Sequence, residues 1–157
     1  MSAAPAVEER FPGVERIETY RLVREMPTRW ADNDQYGHLN NTIYYSLVDT
    51  LVNVHLIENG ALDLEGSPEI GYVVESGCRF RRSLAYPGAV LVGISVARVG
   101  RSSVTYRAGV ASLDGQVAAE VHFVHVYVQR ATGETTPVPE RVLRAVGPLR
   151  LDEGGTS

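Results

Sequence analysis

Asn41-Thr42-Ile43-Tyr44-Tyr45-Ser46-Leu47-Val48-Asp49-Thr50-Leu51-Val52-Asn53-Val54-His55-Leu56-Ile57-Glu58 is the stretch that decides the fold. Asn40 or Asn41 offers an N-cap and Asn59-Gly60 a stop, so these residues read as one helix. Apolar side chains, from Ile43 and Tyr44 through Val48, Leu51 and Val52 to Leu56 and Ile57, surround most of its circumference. A helix apolar nearly all round is expected to be buried, not laid on a surface. Its interior polar residues Thr42, Ser46, Asp49 and Asn53 are spaced four, three and four and so form one narrow stripe, with His55 outside it.

Outward from the helix, the pattern changes to strands. Residues 20–30 read as a first strand, which runs into the polar loop 31–38. Beyond the helix, residues 71–82 alternate, with Tyr72, Val74, Cys78 and Phe80 on one face and Glu75, Arg79 and Arg81 on the other. Pro87-Gly88 marks a turn, residues 90–99 a strand, and Gly100-Arg101 another turn. Residues 104–113 follow, then Asp114-Gly115 as a two-residue hairpin signal, then the nearly continuous apolar run 117–129 of an interior strand. One buried helix and an antiparallel meander have a simple joint solution, in which the sheet curls around the helix; the class is α+β. Such a sheet leaves an apolar face or edge uncovered, so a homodimer or homotetramer is expected.

Length and charge agree with one ordinary globular domain. The 157 residues are 44% hydrophobic and 22% charged, and 15 basic against 19 acidic residues leave a net charge of −4. Nothing global therefore recruits nucleic acid or an anionic membrane, and an anionic ligand needs a local basic patch. The single Cys78 excludes an internal disulfide and reads as an inert buried thiol in a reducing, cytoplasmic setting. No secretory segment opens the chain, and no apolar stretch approaches the ~20 residues of a membrane span. Residues 1–19 read as a flexible arm, 20–145 as the domain, and 146–157 as a C-terminal tail, disordered from Asp152.

The chemistry concentrates in Arg29-Trp30-Ala31-Asp32-Asn33-Asp34-Gln35-Tyr36-Gly37-His38-Leu39-Asn40-Asn41. Two carboxylates, an imidazole and amides stand at the mouth of the helix, whose free N–H groups favour negative charge. A carbonyl placed there has its developing oxyanion stabilised, and a nearby carboxylate makes acyl transfer feasible. Gly37 lets the backbone turn tightly and approach a ligand, and His38 lies beside it. The same residues also suit plain turn and capping chemistry. An Asp/Asp/His metal site lacks the tight ligand clusters that such sites show, and none is assigned.

The run Trp30-x-Asp32-x-Asp34-x-x-Gly37-His38-x-Asn40-Asn41, followed by Tyr44, resembles the signature of the 4-hydroxybenzoyl-CoA thioesterase-like family of hotdog proteins. Phe80-x-x-x-Leu84 and Gly100-Arg101-Ser102-Ser103 resemble that family's second strand and the turn before its fourth, so the likeness spans residues 20–142. The resemblance implies a hotdog domain with Asp34, not Asp32, as the catalytic carboxylate. It puts the carbonyl-polarising backbone N–H on Asn41, and on Asp49 a helix aspartate that assists substrate placement or thiol departure. It places the phosphate-contacting turn on Arg101 and Ser102, and Arg98, close by in the sequence, is expected to help Arg101 there. The strand region 71–75 of a partner subunit forms the second wall, where Tyr72, Val73 and Val74 meet the acyl group. His38-Leu39-Asn40 after the glycine is closer to the fatty acyl-CoA branch than to the aromatic one.

These readings converge on hydrolysis of an acyl-CoA to free acid and thiol, with no metal or redox cofactor. Asp34 either attacks the carbonyl or deprotonates a water, and one positioned carboxylate serves both routes. A hotdog hydratase or dehydratase is the rival enzyme, although the Asn-Pro of the hydratase loop is absent after His38. A non-catalytic acyl-CoA-binding module is the rival outside catalysis; it would need no carboxylate at position 34.

Overall fold

A computed structural model describes residues 6–152. In chain order the elements are α1 (Val7–Arg10), β1 (Leu22–Pro27), α2 (Asn41–Glu58), β2 (Glu69–Phe80), β3 (Ala89–Val99), β4 (Ser103–Ala111), β5 (Val117–Gln129) and α3 (Glu140–Val146), with three short 3₁₀ turns between them. The strands form one antiparallel sheet in the order β1-β3-β4-β5-β2, which wraps α2 as the hotdog arrangement requires. No helix among the described residues is long and apolar enough to cross a membrane.

The helix begins where its capping chemistry dictates. Asn40 Oδ1 accepts the Thr42 N–H at 3.0 Å, satisfying one of the orphan donors of the first turn. Gly60, at φ 72°, takes the left-handed conformation just past the end. Val48, Leu51, Val52 and Leu56 lie on the face that meets Val92, Ile94, Val104, Val110 and Val121 of the sheet, all fully or nearly fully buried. Removing Leu51 to Ala would cost about 2–5 kcal/mol by transfer and cavity terms together.

The rest of the circumference differs from the expectation of burial nearly all round. Thr42, Ser46 and Asp49 are exposed, Ile43, Tyr45 and Leu47 only half-buried, and Ile57 exposed. One protomer's sheet covers one side of a cylinder, and the polar stripe lies on the side it leaves open. His55 faces the other way: its Nε2 lies 2.7 Å from the carbonyl oxygen of Ala145, joining α2 to α3.

Two further expectations differ in detail. Val73 pairs with His125 and Glu75 with Val124, so Val74 is an unpaired bulge residue. The bulge reverses the alternation, placing Tyr72 on the same face as Glu75 and Arg79 and opposite Cys78 and Phe80. The loop at Asp114-Gly115 has three residues, closed by Ser112 N–H to Gln116 O at 3.2 Å, with Gly115 at φ 89°. Asp114 Oδ1 accepts from both Ser112 Oγ and Gln116 N–H, which explains the longer loop.

Residues 6–19, expected as a loose arm, pack as a strap across the outer face of the sheet. Gly13 N–H donates to both carboxylate oxygens of Glu120, at 3.0 and 3.2 Å. Ile17 is buried, and Val117 N–H donates to Glu15 O at 2.9 Å. Tyr20 continues the strap: it lies over Gly93 and Gly109, where an added Cβ would come within 2.7–2.8 Å of its ring, and its hydroxyl donates to Ala108 O at 2.9 Å. At the other end, the boundary expected at residue 145 falls inside α3, whose Val146 is buried, as is Leu149 beyond it. Residues 1–5 of the arm and 153–157 of the tail lie outside the described residues.

Candidate active site

The loop between β1 and α2 is built by its two aspartates in different ways. Asp32 is buried and spends its carboxylate on structure: Arg29 Nε and Nη2 donate to Oδ1 at 3.0 and 2.8 Å, and Arg29 N–H donates to Oδ2 at 2.8 Å. Asn33 pairs with the backbone of Tyr86 through both ends of its amide, at 3.1 and 2.9 Å, and so ties the loop to the segment before β3. Leu39 N–H to Leu84 O and Asn40 N–H to Asp32 O, both 2.8 Å, close the loop onto the helix.

Asp34 is half-buried and sits in a tight turn. Its N–H donates to His38 O at 2.8 Å, Gly37 N–H returns to Asp34 O at 3.1 Å, and Tyr36 N–H donates to Asp34 Oδ1 at 2.8 Å. Gly37, at φ 82°, supplies the left-handed residue that such a return needs. One carboxylate oxygen is thereby oriented by the backbone. Asp34, His38, Leu39, Asn41 and Tyr44 line an open cavity of about 440 Å³, together with Phe80, Arg81, Arg82 and Ser83. Asn41 is the first residue of α2, where the helix itself offers its N–H no acceptor. The cavity thus joins a carboxylate to a helix N-terminus. Its lining includes an aromatic pair, Tyr44 edge-on to Phe80 at 5.0 Å; the next helix residue, Tyr45, stands edge-on to Phe123 at 6.2 Å outside the cavity lining.

The other expected residues lie elsewhere in the protomer. Asp49 is exposed two turns along α2, with Oδ1 accepting from Asn53 Nδ2 at 3.2 Å, and does not line the cavity. Tyr72, Val73 and Val74 are 51%, 43% and 59% exposed on β2, an edge strand, so this stretch of edge is open. Arg98, Arg101 and Ser102 flank the β3–β4 turn, where Ser102 O accepts Tyr127 N–H and Arg101 O accepts Val138 N–H. β3 pairs with β1 next to the Asp34 loop at Ala89 and reaches this turn at Val99, on the order of 30 Å away at ~3.3 Å per residue. A single protomer therefore does not bring Arg101 to Asp34.

Sequence reasoning missed Arg81, Arg82 and Ser83, although they directly follow the strand that ends at the helix mouth. It also missed a set of buried polar groups. Glu120 is 1% exposed and paired with Arg81, whose Nη1 also donates to Val14 O at 2.7 Å. His122 and His125 are buried, with neither His122 nitrogen nor His125 Nδ1 hydrogen-bonded. Burial lowers both imidazole pKa values; Glu75 partly opposes this at His122 and Asp49 at His125, while Arg10 and Arg107 reinforce it at His122. Burial likewise pushes the Cys78 thiol up to about 12.

A family model for the thioesterase-like superfamily matches residues 28–146. The chain belongs to the thioesterase-like superfamily. Among solved structures, this thioesterase-like protein is similar to the PA5185 protein from Pseudomonas aeruginosa strain PAO1, with 39% identity over 87% of this chain and 96% of that one, at a TM-score of 0.83. A thioesterase from Thermus thermophilus, complexed with coenzyme A and zinc, is 25% identical over 84% of this chain and 96% of its own, at 0.69. A 1,4-dihydroxy-2-naphthoyl-CoA thioesterase from Synechocystis shares the fold at 15% identity, covering 80% and 94% of the two chains, at 0.72. No curated protein matches the sequence.

Proposed function

We propose that this protein is an acyl-CoA thioesterase that hydrolyses a fatty acyl thioester to the free acid and coenzyme A. The observation that carries the reading is the cavity in which the Asp34 carboxylate and the N-terminal end of α2 at Asn41 face the same space. A thioester carbonyl bound against the Asn41 N–H has its oxyanion stabilised by that donor and by the positive end of the helix. Asp34 then takes the proton of an attacking water, whose oxygen bonds to the carbonyl carbon. The tetrahedral intermediate collapses with loss of the C–S bond, and the leaving thiolate takes the proton held by Asp34, restoring its carboxylate. In the other route Asp34 itself attacks, and water hydrolyses the resulting anhydride; a positioned carboxylate serves either.

A fatty acyl group is supported by His38-Leu39-Asn40 after Gly37 and by the apolar lining that Leu39, Tyr44 and Phe80 give the cavity. The site is completed by a second subunit. β2 is an open edge of 12 residues, and pairing it antiparallel with its own copy about a twofold axis lays the Glu69 end of one strand beside the Phe80 end of the other. That operation carries the partner's 71–75 region and its β3–β4 turn toward this protomer's cavity. Tyr72, Val73 and Val74 then wall the acyl group, and Arg101, with Arg98 and Ser102, meets the nucleotide phosphates. A panel of acyl-CoAs of graded chain length, followed by free thiol release, tests the reading. Thiol release that is greatest with fatty acyl chains supports it, and no release from any member of the panel rejects it.

A further inference from the structure

The cavity carries a cation for which the reaction as proposed has no use. Arg82 is exposed, lines the cavity with Ser83, and belongs to none of the ion pairs among the described residues. Its guanidinium donates to the side-chain carbonyl of Gln116, a neutral group that fixes the side chain without cancelling its charge. The neighbouring Arg81 differs: its charge is matched by Glu120, and its second arm is held by Val14 O. Asp114 feels the Arg82 charge, but its carboxylate keeps its own partners, Ser112 Oγ and Gln116 N–H. The backbone beneath is anchored as well, since Arg81 N–H and Arg82 N–H both donate to Ala118 O, at 2.8 and 3.2 Å.

We infer that Arg82 and Ser83 form an anion subsite within the Asp34 cavity, and that the physiological thioester carries a phosphate or carboxylate that reaches it. The inference rests on the thioesterase reading. In a chain of net charge −4, an arginine lining the cavity without an acidic partner is a local exception to the overall field. Arginine presents a planar fork of donors that suits phosphate and carboxylate oxygens, and the Ser83 hydroxyl adds one more donor. The anion has two chemical sources. On the thiol side it is a phosphate of coenzyme A; on the acyl side it is the free carboxylate of a dicarboxylic acyl group.

Four thioesters separate the sources: valeryl and glutaryl groups, each on coenzyme A and on N-acetylcysteamine. If the source is a phosphate, Arg82→Ala raises KM about tenfold for both coenzyme A esters and leaves both N-acetylcysteamine esters unchanged. If the source is a carboxylate, the same variant raises KM for both glutaryl esters and spares both valeryl esters. Arg82→Lys, which keeps the charge and loses the fork, recovers part of the loss in either case, and Arg144→Ala on α3 serves as a control distant in role. An equal effect on all four esters, or none, overturns the subsite. If the wild-type protein turns over none of the four, the thioesterase reading falls by itself. The subsite is then decided by calorimetric titration with coenzyme A and with glutarate: binding that Arg82→Ala abolishes supports it, and binding that is absent or unchanged overturns it.

Discussion

The N–H of Tyr36 donates to the Asp34 carboxylate at 2.8 Å, two residues along the same turn, and so aims the free oxygen without neutralising the group. Asp32, two residues earlier, is buried and locked to Arg29. The two carboxylates therefore separate by experiment. Asp34→Asn is expected to melt like the wild type and to lose activity by ~10²–10⁴-fold, the range for a positioned base or donor. Asp32→Asn is expected to lose about 1–3 kcal/mol of stability by unpairing a buried group. Melting curves and kcat of both variants check this; retention of more than about a tenth of the rate in Asp34→Asn rejects Asp34 as the catalytic carboxylate.

Arg101 stands at the far end of β3 from the Asp34 loop, so the phosphate role proposed for it requires a second subunit. Arg101→Ala is expected to raise KM for acyl-CoA while leaving acyl-N-acetylcysteamine unaffected. Equal changes with both thiols would reject a phosphate role.

In the proposed shared site the open edge of β2 supplies the second wall, so activity is expected to vanish together with dimerisation upon dilution. Sedimentation and rate measured along one dilution series test the coincidence. A fully active monomer removes the shared site and leaves Asp34 untouched.

The buried imidazoles of His122 and His125 give stability a pH dependence of definite sign. Their folded pKa values lie below the ordinary 6.5, so between the two values the unfolded chain binds more protons than the native one. Their contribution is complete above about 6.5 and is lost as pH falls through the lowered folded values. Tm is expected to drop from pH 7.5 toward pH 5, and His125→Gln to flatten part of that slope. A variant whose slope matches the wild type would show that His125 does not contribute.

Cys78, held near a pKa of about 12, is expected to resist alkylation at pH 8 in the native protein and to react at once after unfolding. Cys78→Ala is expected to keep its catalytic rate. Rapid native labelling, followed by mass spectrometry, would contradict the burial.

Much of this architecture was legible in the sequence because local periodicity and local capping set it. Asn40 caps α2 through a contact two residues away, and the 3.6 and 2.0 residue repeats separate helix from strands. The hotdog fold and the thioesterase-like family were likewise readable, since the motif from Trp30 to Asn41 is contiguous. What escaped depends on residues distant along the chain. Gly13 bonds Glu120 across 107 positions, and nothing near either residue announces the other. The bulge at Val74 escaped for a similar reason: its alternation looks regular until β5 pairs with it. Arg82 was passed over because an arginine following a strand is ordinary until the helix mouth folds next to it.

The strap has a consequence for the order in which the molecule assembles. Its contacts close loops of about a hundred residues, so loop-closure entropy makes them late to form and early to open. During synthesis, residues 13–17 emerge 107 residues or so before the stretch of β5 that receives them, and they must wait for it. Arg81, which grips Val14 O with one arm and Glu120 with the other, is also a wall of the cavity. A segment made well before its partner strand is thus among the last to find its place, and one wall of the cavity is set firmly only when it does.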